Sequence, residues 1–523
     1  MNAPNRRILW ADDEIDLLRP HILYLEEKGY EVQAVANGED ALALLAEQSF
    51  DVVLLDEQMP GIGGLETLQS LRDVAPQVPV IMITKSEEEH LMNEALGHQI
   101  ADYLTKPVNP SQIWLACKKV FESKQLVRDQ KTRDYVAEFN RILALRQGEL
   151  GADDWLDLAL RLAGLDLELA ATDEGLYQTH QEQKAQINRE FARFITANYP
   201  RWVRLPSDAR PLLSVDVVPQ FVLPHLRQGK RVVFVVIDCM RLDHWLALEP
   251  LLSPYFQIRK SLYYSILPTA TPYSRNAIFS GLYPVQIARK YPDWWLEDVG
   301  SESGKNRFEK ALLRKLLERE DVKLERVRYL KVFTADEAER LKRRATSQAS
   351  AELLSVVINF LDLLLHGRSE SDILQELAPH ETAFRSLLLS WFSHSSLFEI
   401  LKMYARQDVV VVLTTDHGSV QCKKSSLVYG NRQTSTNVRY KYGDNLVCEE
   451  KEALHVKKPQ EFMLPMNSLT KNYILAKENY YFVYPTNFHH YEKHFRGSFQ
   501  HGGISIEEMI LPVATLVPHS VSP

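Results

Sequence analysis

Residues 51–61 read DVVLLDEQMPG. The apolar run Val52–Leu55 suits a strand buried on both faces, the strand type of a parallel sheet. It ends on an acid, Asp56, and Met59-Pro60-Gly61 then turns the chain. Working back, Arg7–Ala11 (RILWA) is a second apolar run that ends on two acids, Asp12 and Asp13. Leu17–Lys28 has helical spacing and is stopped by Gly29; Tyr30–Val35 reads as a strand and Glu39–Gln48 as a helix. Working forward, helix Leu65–Val74, strand Val78–Ile83, helix Glu87–Leu96, strand Ala101–Leu104 and helix Ser111–Glu122 follow. Strict alternation predicts an α/β domain over 1–122, with a parallel sheet covered by helices on both faces.

Chemistry in an open parallel sheet gathers outside the carboxyl ends of its strands. Those ends carry Asp12, Asp13, Asp56, Thr84 and Lys106. Grouped carboxylates repel unless a cation joins them, and a hard divalent ion with oxygen ligands, most simply Mg²⁺, answers that need. Asp56 is then able to accept a phosphoryl group as an acyl phosphate, with Lys106 and Thr84 on its oxygens. Asp12-Asp13, Asp56, Met59-Pro60-Gly61, Thr84 and Lys106-Pro107 resemble the response-regulator receiver family, of flavodoxin-like fold. The resemblance implies a histidine kinase as phosphoryl donor. It also implies a switch through Thr84 and the aromatic Tyr103, often toward a homodimer.

From Ser123 to Tyr199 strand signals vanish, and leucine, alanine, arginine and glutamate dominate. The expectation is a helical segment over 123–205, followed by a proline-rich crossing in Arg201–Gln220. Alternation resumes at Arg231–Ile237 (RVVFVVI), which ends at Asp238, and again at Asp408–Thr415 (DVVVVLTT), which ends at Asp416 and His417. The stretch 206–523 therefore reads as a second α/β domain. Its charged, helically patterned part, 300–405, reads as a cap or insertion.

Thr271 lies in LPTATPYSRNAIFSGLYP before an expected helix, and His501 lies in FQHGGISIEEMILP. Carboxylates and imidazoles at strand ends, with glycines that admit close backbone, suit borderline divalent metals such as zinc. A hydroxyl among them is placed to attack phosphorus. Strand-Asp238, Thr271 followed by Gly-Leu-Tyr-Pro, strand-Asp416-His417-Gly and a late His501-Gly-Gly resemble the alkaline-phosphatase superfamily. The resemblance implies Asp238, Thr271, Asp416 and His417 on one zinc, Thr271 as nucleophile in preference to Thr269, and His501 on a second zinc. The family's usual Asp-x-x-x-His pair for that second ion, between the nucleophile and the Asp-His strand, is expected to be missing from this chain. Its nearest substitute is Asp293, with Glu297 four residues on, although Asp293 suits a helix cap equally well. Asp243 and His244 read as hydrogen-bonding groups, and His489, His490 and His494 as a solvated face.

Arg275, just after the nucleophile, and Arg439 and Lys441 are candidate substrate contacts. Lys423, Lys424 and Arg432 join them, interleaved with Tyr429, Tyr440 and Tyr442, an arrangement on which bases stack while cations meet phosphates. A solvated loop fits the same residues, and RLKRR at 340–344 reads as an exposed helix face. The whole order resembles the PorX-type response regulators, which carry a PglZ-type effector domain. That implies a sensor histidine kinase and a sigma factor as partners, regulation of type IX secretion, and phosphodiester hydrolysis of nucleotides or oligonucleotides. The rival expectation is a catalytically weak effector that binds a protein partner; a phosphomutase-type transferase is a third.

Composition sets the limits. The 523 residues are too many for one ordinary domain, and 45% hydrophobic with 25% charged is the balance of a soluble globular chain. A net charge of −8 argues against general attraction to DNA phosphates, and no helix-turn-helix is visible. Cys117, Cys239, Cys422 and Cys448 form no Cys-x-x-Cys pair. The N-terminus has no apolar signal core and no run is long enough to span a bilayer, so the expectation is a cytoplasmic protein.

Overall fold

The computed structural model describes residues 6–85, 100–169, 174–295, 306–345, 350–430, 437–485 and 488–519. The expected helix Glu87–Leu96, Glu297 and Arg432 lie outside them. The chain forms two compact units, Met1–Arg141 and Ile142–Pro523.

The first unit is a five-stranded parallel sheet of β1 (Arg6–Ala11), β2 (Tyr30–Val35), β3 (Val52–Asp56), β4 (Val80–Thr84) and β5 (Asp102–Thr105), in the order β2-β1-β3-β4-β5. β3 and β4 are buried along their whole length, which is why their sequences are continuously apolar. One core cluster packs Ile8, Trp10, Leu54 and Ile83 against Ile113 and Phe121; the other packs Leu9, Val53 and Met82 against Ala41 and Leu68. Both faces of the sheet are thus covered. The expected boundary at 122 falls within the continuous helix Pro110–Leu145, because nothing in the sequence there stops a helix.

In the second unit, helices Ala152–Leu169 and Glu174–Trp202 precede a run of short turns over Ser207–Val222. A six-stranded sheet then forms from β6 (Val232–Ile237), β7 (Phe256–Tyr264), β8 (Val327–Val332), β9 (Leu353–Ile358), β10 (Val410–Thr414) and the C-terminal strand Ile510–Pro518. β6 is central, between β9 and β10, and these with β8 run parallel. The C-terminal strand runs antiparallel between β10 and β7. The stretch 300–405, expected as a helical insertion, is helical in large part but also supplies β8 and β9. β9 pairs with β6 residue for residue from Leu353 to Ile358, so this stretch is built into the sheet. Its apolar run LLSVVI is short and flanked by charged helices, which masks it in the sequence. Short-stranded sheets fill Val420–Gln500. Among the described residues, no helix is long and apolar enough to cross a membrane.

Candidate metal centres

In the first unit, Asp12, Asp13 and Asp56 bring ligand oxygens within 4.8 Å of one another at the carboxyl ends of β1 and β3. Lys106 Nζ lies 3.0 Å from Asp12 Oδ2 and 3.0 Å from Asp56 Oδ1. Burial pushes the Asp56 carboxyl up, and the nearby Asp12 adds to this while Lys106 opposes it. Burial alone would lower the Lys106 ammonium, but the two carboxylates outweigh it and raise it. Lys106 pairs with Asp12 and Asp56, and one lysine does not balance three carboxylates, so among the described residues the donor set fits a hard divalent cation. Thr84 is buried at the end of β4, and Tyr103 on β5 is 41% exposed.

In the second unit, Asp238 follows β6 and Asp416-His417 follow β10, the strand beside it. Their ligand atoms lie within 4.8 Å of one another, and all three residues are buried. Each carboxylate has one oxygen held and one turned inward. Asp238 Oδ2 accepts from Arg275 Nη1 at 2.6 Å and Asn359 Nδ2 at 3.1 Å. Asp416 Oδ1 accepts from the backbone N–H groups of Cys239 at 3.3 Å and His417 at 3.1 Å. The inward oxygens, Asp238 Oδ1 and Asp416 Oδ2, accept no hydrogen bond from the described residues. They lie 3.6 and 3.7 Å from His417 Nε2, and that nitrogen is 2.9 Å from Thr271 Oγ1.

Burial drives the Asp238 carboxyl well above the carboxylate range, and Asp416 reinforces this against the pull of Arg275. Burial likewise raises Asp416 and lowers His417, which favours a neutral imidazole with a lone pair to donate. Two inward carboxylate oxygens, an imidazole nitrogen and a hydroxyl brought together form a donor set that fits zinc.

Thr271 is the first residue of helix Thr271–Ser280, at the end where backbone N–H groups favour anions. Thr269 has a different task. Its hydroxyl donates to Gly503 O at 2.8 Å and accepts from Gly502 N at 3.1 Å, which ties down the loop after His501. The His501 ring stacks on His417 with centroids 4.1 Å apart, and its Nε2 lies 3.7 Å from Asp362 Oδ1.

Asp362, absent from the sequence reading, sits in helix Phe360–Glu370, which begins just after β9. The same helix carries His366 four residues on, so the chain does contain an Asp-x-x-x-His pair between Thr271 and Asp416. Asp293, the substitute named from the sequence, is exposed on a turn, Pro292–Trp294.

The substrate contacts also need correction. Arg275 is 2% exposed, bridging Asp238 to Glu309, whose Oε1 it meets at 2.7 Å. Glu309 also accepts from Asn306 Nδ2 at 2.7 Å, from Tyr329 Oη, and from Lys331 Nζ at 2.9 Å. Arg439 is fully buried in an ion pair with Glu508. Lys441 is fully buried, donates to Asn437 O at 2.9 Å and lies over the Tyr484 ring. All three cations are committed inside the protein: Arg275 to Asp238 and Glu309, Arg439 to Glu508, and Lys441 within the buried run Tyr440–Tyr442. Asp243 and His244 are structural, as read: Asp243 pairs with Arg241 and Arg385, and His244 Nδ1 accepts from Arg241 N. His489 and His494 are exposed.

Three family models match in chain order. A response regulator receiver domain covers residues 8–118, a PorX response regulator linker domain 125–203, and a BREX system PglZ alkaline phosphatase-like domain 217–516. Among curated proteins, the alginate biosynthesis transcriptional regulatory protein AlgB of Pseudomonas aeruginosa is 37% identical over 120 residues, 23% of this chain and 27% of that protein. The transcriptional regulatory protein ResD of Bacillus subtilis is 34% identical over 112 residues, 21% of this chain and 46% of its own. The chain thus spans less than half the length of these relatives. A solved receiver domain from Clostridium thermocellum is 28% identical, with a TM-score of 0.22, and covers 23% of this chain and 98% of its own. One from Methanospirillum hungatei is 31% identical, with a TM-score of 0.22 and the same two coverages.

Proposed function

The chain belongs to the PglZ alkaline phosphatase-like family, in the PorX-type order of receiver, linker and PglZ domain, and from that premise we propose a zinc-dependent phosphodiesterase controlled by phosphorylation of Asp56. As a two-component response regulator it takes its phosphoryl group from a histidine kinase. One observation carries the catalytic reading: Thr271 Oγ1 is 2.9 Å from His417 Nε2, beside two carboxylate oxygens without hydrogen-bond donors.

Asp238, Thr271, Asp416 and His417 would hold one zinc, and Asp362 and His501 are the candidates for a second. Bound zinc would supply Lewis acidity toward the phosphoryl oxygens and the Thr271 hydroxyl. Thr271 Oγ gives up its proton and attacks phosphorus, forming one O–P bond as the bond to the leaving alcohol breaks and that alcohol takes up a proton. The intermediate is a diester joining Thr271 to the retained alcohol; water then attacks phosphorus, breaks the Thr271 O–P bond, releases the phosphomonoester and returns a proton to the hydroxyl. Arg275 and Asn359 fix the Asp238 carboxylate, and the N–H groups at the start of helix Thr271–Ser280 would favour the negative phosphoryl oxygens.

Nucleotides or oligonucleotides are the substrate class this reading favours, although Arg439 and Lys441 no longer support it. Mg²⁺ held by Asp12, Asp13 and Asp56 belongs to the same reading, as do homodimerisation on phosphorylation, a cytoplasmic location, a sigma factor partner and a role in type IX secretion. Purified chain with zinc should hydrolyse bis(p-nitrophenyl) phosphate, and Thr271→Ala should lower kcat on the order of a thousandfold. Unchanged turnover in that variant would remove Thr271 as nucleophile. Zinc-loaded protein with no diesterase activity would instead favour an effector that works by binding a partner.

A further inference from the structure

Beneath the Asp238 and Asp416-His417 turns lies a buried ring of charges that the reaction does not use. Lys184, on helix Glu174–Trp202, lies 2.7 Å from Asp166 Oδ2 of helix Ala152–Leu169, 3.1 Å from Glu507 Oε1 and 3.8 Å from Glu381 Oε2. Glu381 accepts from Arg241 Nη1 and Nη2, each at 3.2 Å. Arg241 donates to both Asp243 oxygens at 2.8 Å, and Arg385 Nη1 meets Asp243 Oδ2 at 2.8 Å. Arg385 Nη2 returns to the backbone oxygen of Asp166 at 2.8 Å and closes the circuit.

Both ends of this ring reach metal-ligand loops. Arg241 is three residues after Asp238 and N-caps the next helix. Glu507 lies against Gly418, the residue after His417, where a Cβ would stand 1.9 Å from Glu507 O. Asn188, from the same helix as Lys184, donates to Glu507 Oε2 at 3.0 Å and accepts from Ile506 N at 2.8 Å. Two helices ahead of the catalytic sheet thus grip the Asp238 loop through ion pairs with discrete geometry, and reach the Asp416-His417 loop through Glu507, whose segment touches Gly418 and accepts its N–H at Glu508 O, 3.2 Å away.

We infer that Lys184 and Asp166 are positioning residues: they set the Asp238 and Asp416-His417 loops, so that metal binding depends on how these two helices are seated. The inference rests on the metal-centre reading for its consequence, but its geometry does not need the metal. Three cations (Lys184, Arg241, Arg385) face four carboxylates (Asp166, Asp243, Glu381, Glu507). Removing Lys184 alone leaves that balance further from neutral, whereas Lys184→Met with Asp166→Asn leaves it unchanged.

The test is hydrogen–deuterium exchange on the full-length, zinc-free chain, followed by zinc affinity from chelator competition. Lys184→Arg should match wild type in both. The double variant K184M/D166N, and K184M alone if it folds, should exchange faster at 238–243 and 416–419 than elsewhere in the second unit, and bind zinc at least about tenfold more weakly. A folded double variant with unchanged exchange in those two segments, or with loosening spread evenly over the unit, would overturn the inference. If wild type binds no zinc, the metal-centre reading falls, while the exchange result still decides whether Lys184 positions the loops.

Discussion

Arg275 and Asp238 form a buried pair in which Nη1 donates to Oδ2 at 2.6 Å, leaving Oδ1 turned toward His417. A guanidinium is a cation that cannot dissociate or lose its proton. It therefore fixes which carboxylate oxygen faces His417, whether or not an ion is present. The same guanidinium is anchored by Glu309, itself satisfied by Asn306, Tyr329 and Lys331, so its position is over-determined.

Arg275→Gln tests that arrangement. The variant keeps an amide donor but loses the charge and the bridge to Glu309. Zinc affinity, read by competition with a chromogenic chelator, should fall about 10- to 100-fold, the usual cost of removing a group that orients a ligand. Equal affinity would mean that Asp238 needs no orientation.

Asp362→Asn addresses the second ion. If Asp362 and His501 share it, bound zinc should drop by one equivalent per chain while Thr271 remains in place. The kcat for a diester should fall about 100-fold or more. Metal content by atomic emission, alongside the kinetics, separates loss of an ion from a general loss of fold.

Asp56→Asn should abolish acyl-phosphate formation from acetyl phosphate with Mg²⁺, read on a phosphate-retarding gel, whereas Lys106→Ala should bind the phosphoryl group without completing the switch. Light scattering should show wild type moving toward dimer with beryllofluoride and the Asn variant unmoved. A dimer that forms equally in both would separate dimerisation from phosphorylation.

Glu381 supplies a pH signature. Burial alone would raise its carboxyl, but the charges of Arg241 and Lys184 outweigh that and hold it at about 2, against an ordinary 4.5. A carboxyl depressed in the folded state binds fewer protons there than in the unfolded chain. Its contribution is therefore present above pH 4.5 and lost as pH falls toward about 2. Glu381→Gln should cost about 3 kcal/mol at neutral pH, in urea unfolding of the zinc-free chain. The gap from wild type should close on acidification through that window. A gap that stays constant with pH would mean the effect is packing and not charge.

The receiver was legible because its chemistry lies at the carboxyl ends of short strands, the central two of them almost wholly apolar, so that Asp12, Asp56, Thr84 and Lys106 are aligned by topology. Asp238, Asp416 and His417 were legible for the same reason. Asp362 was not, because its helix follows a strand hidden among charged helices, and an acid four residues before a histidine is ordinary helical spacing. Arg275, Arg439 and Lys441 misled in the opposite way. Residue type announces a charge but not the direction it faces, and each of these meets a carboxylate, a carbonyl or an aromatic ring inside the protein. The Lys184 ring was beyond reach of the sequence, since its members come from five separate segments of the chain.

The most direct measurement is anomalous diffraction at the zinc edge from crystals of the zinc-loaded chain. The account predicts a peak bounded by Asp238 Oδ1, Asp416 Oδ2, His417 Nε2 and Thr271 Oγ1, at about 2.0–2.2 Å from each. Zinc-replete crystals with no peak among those four atoms would contradict it.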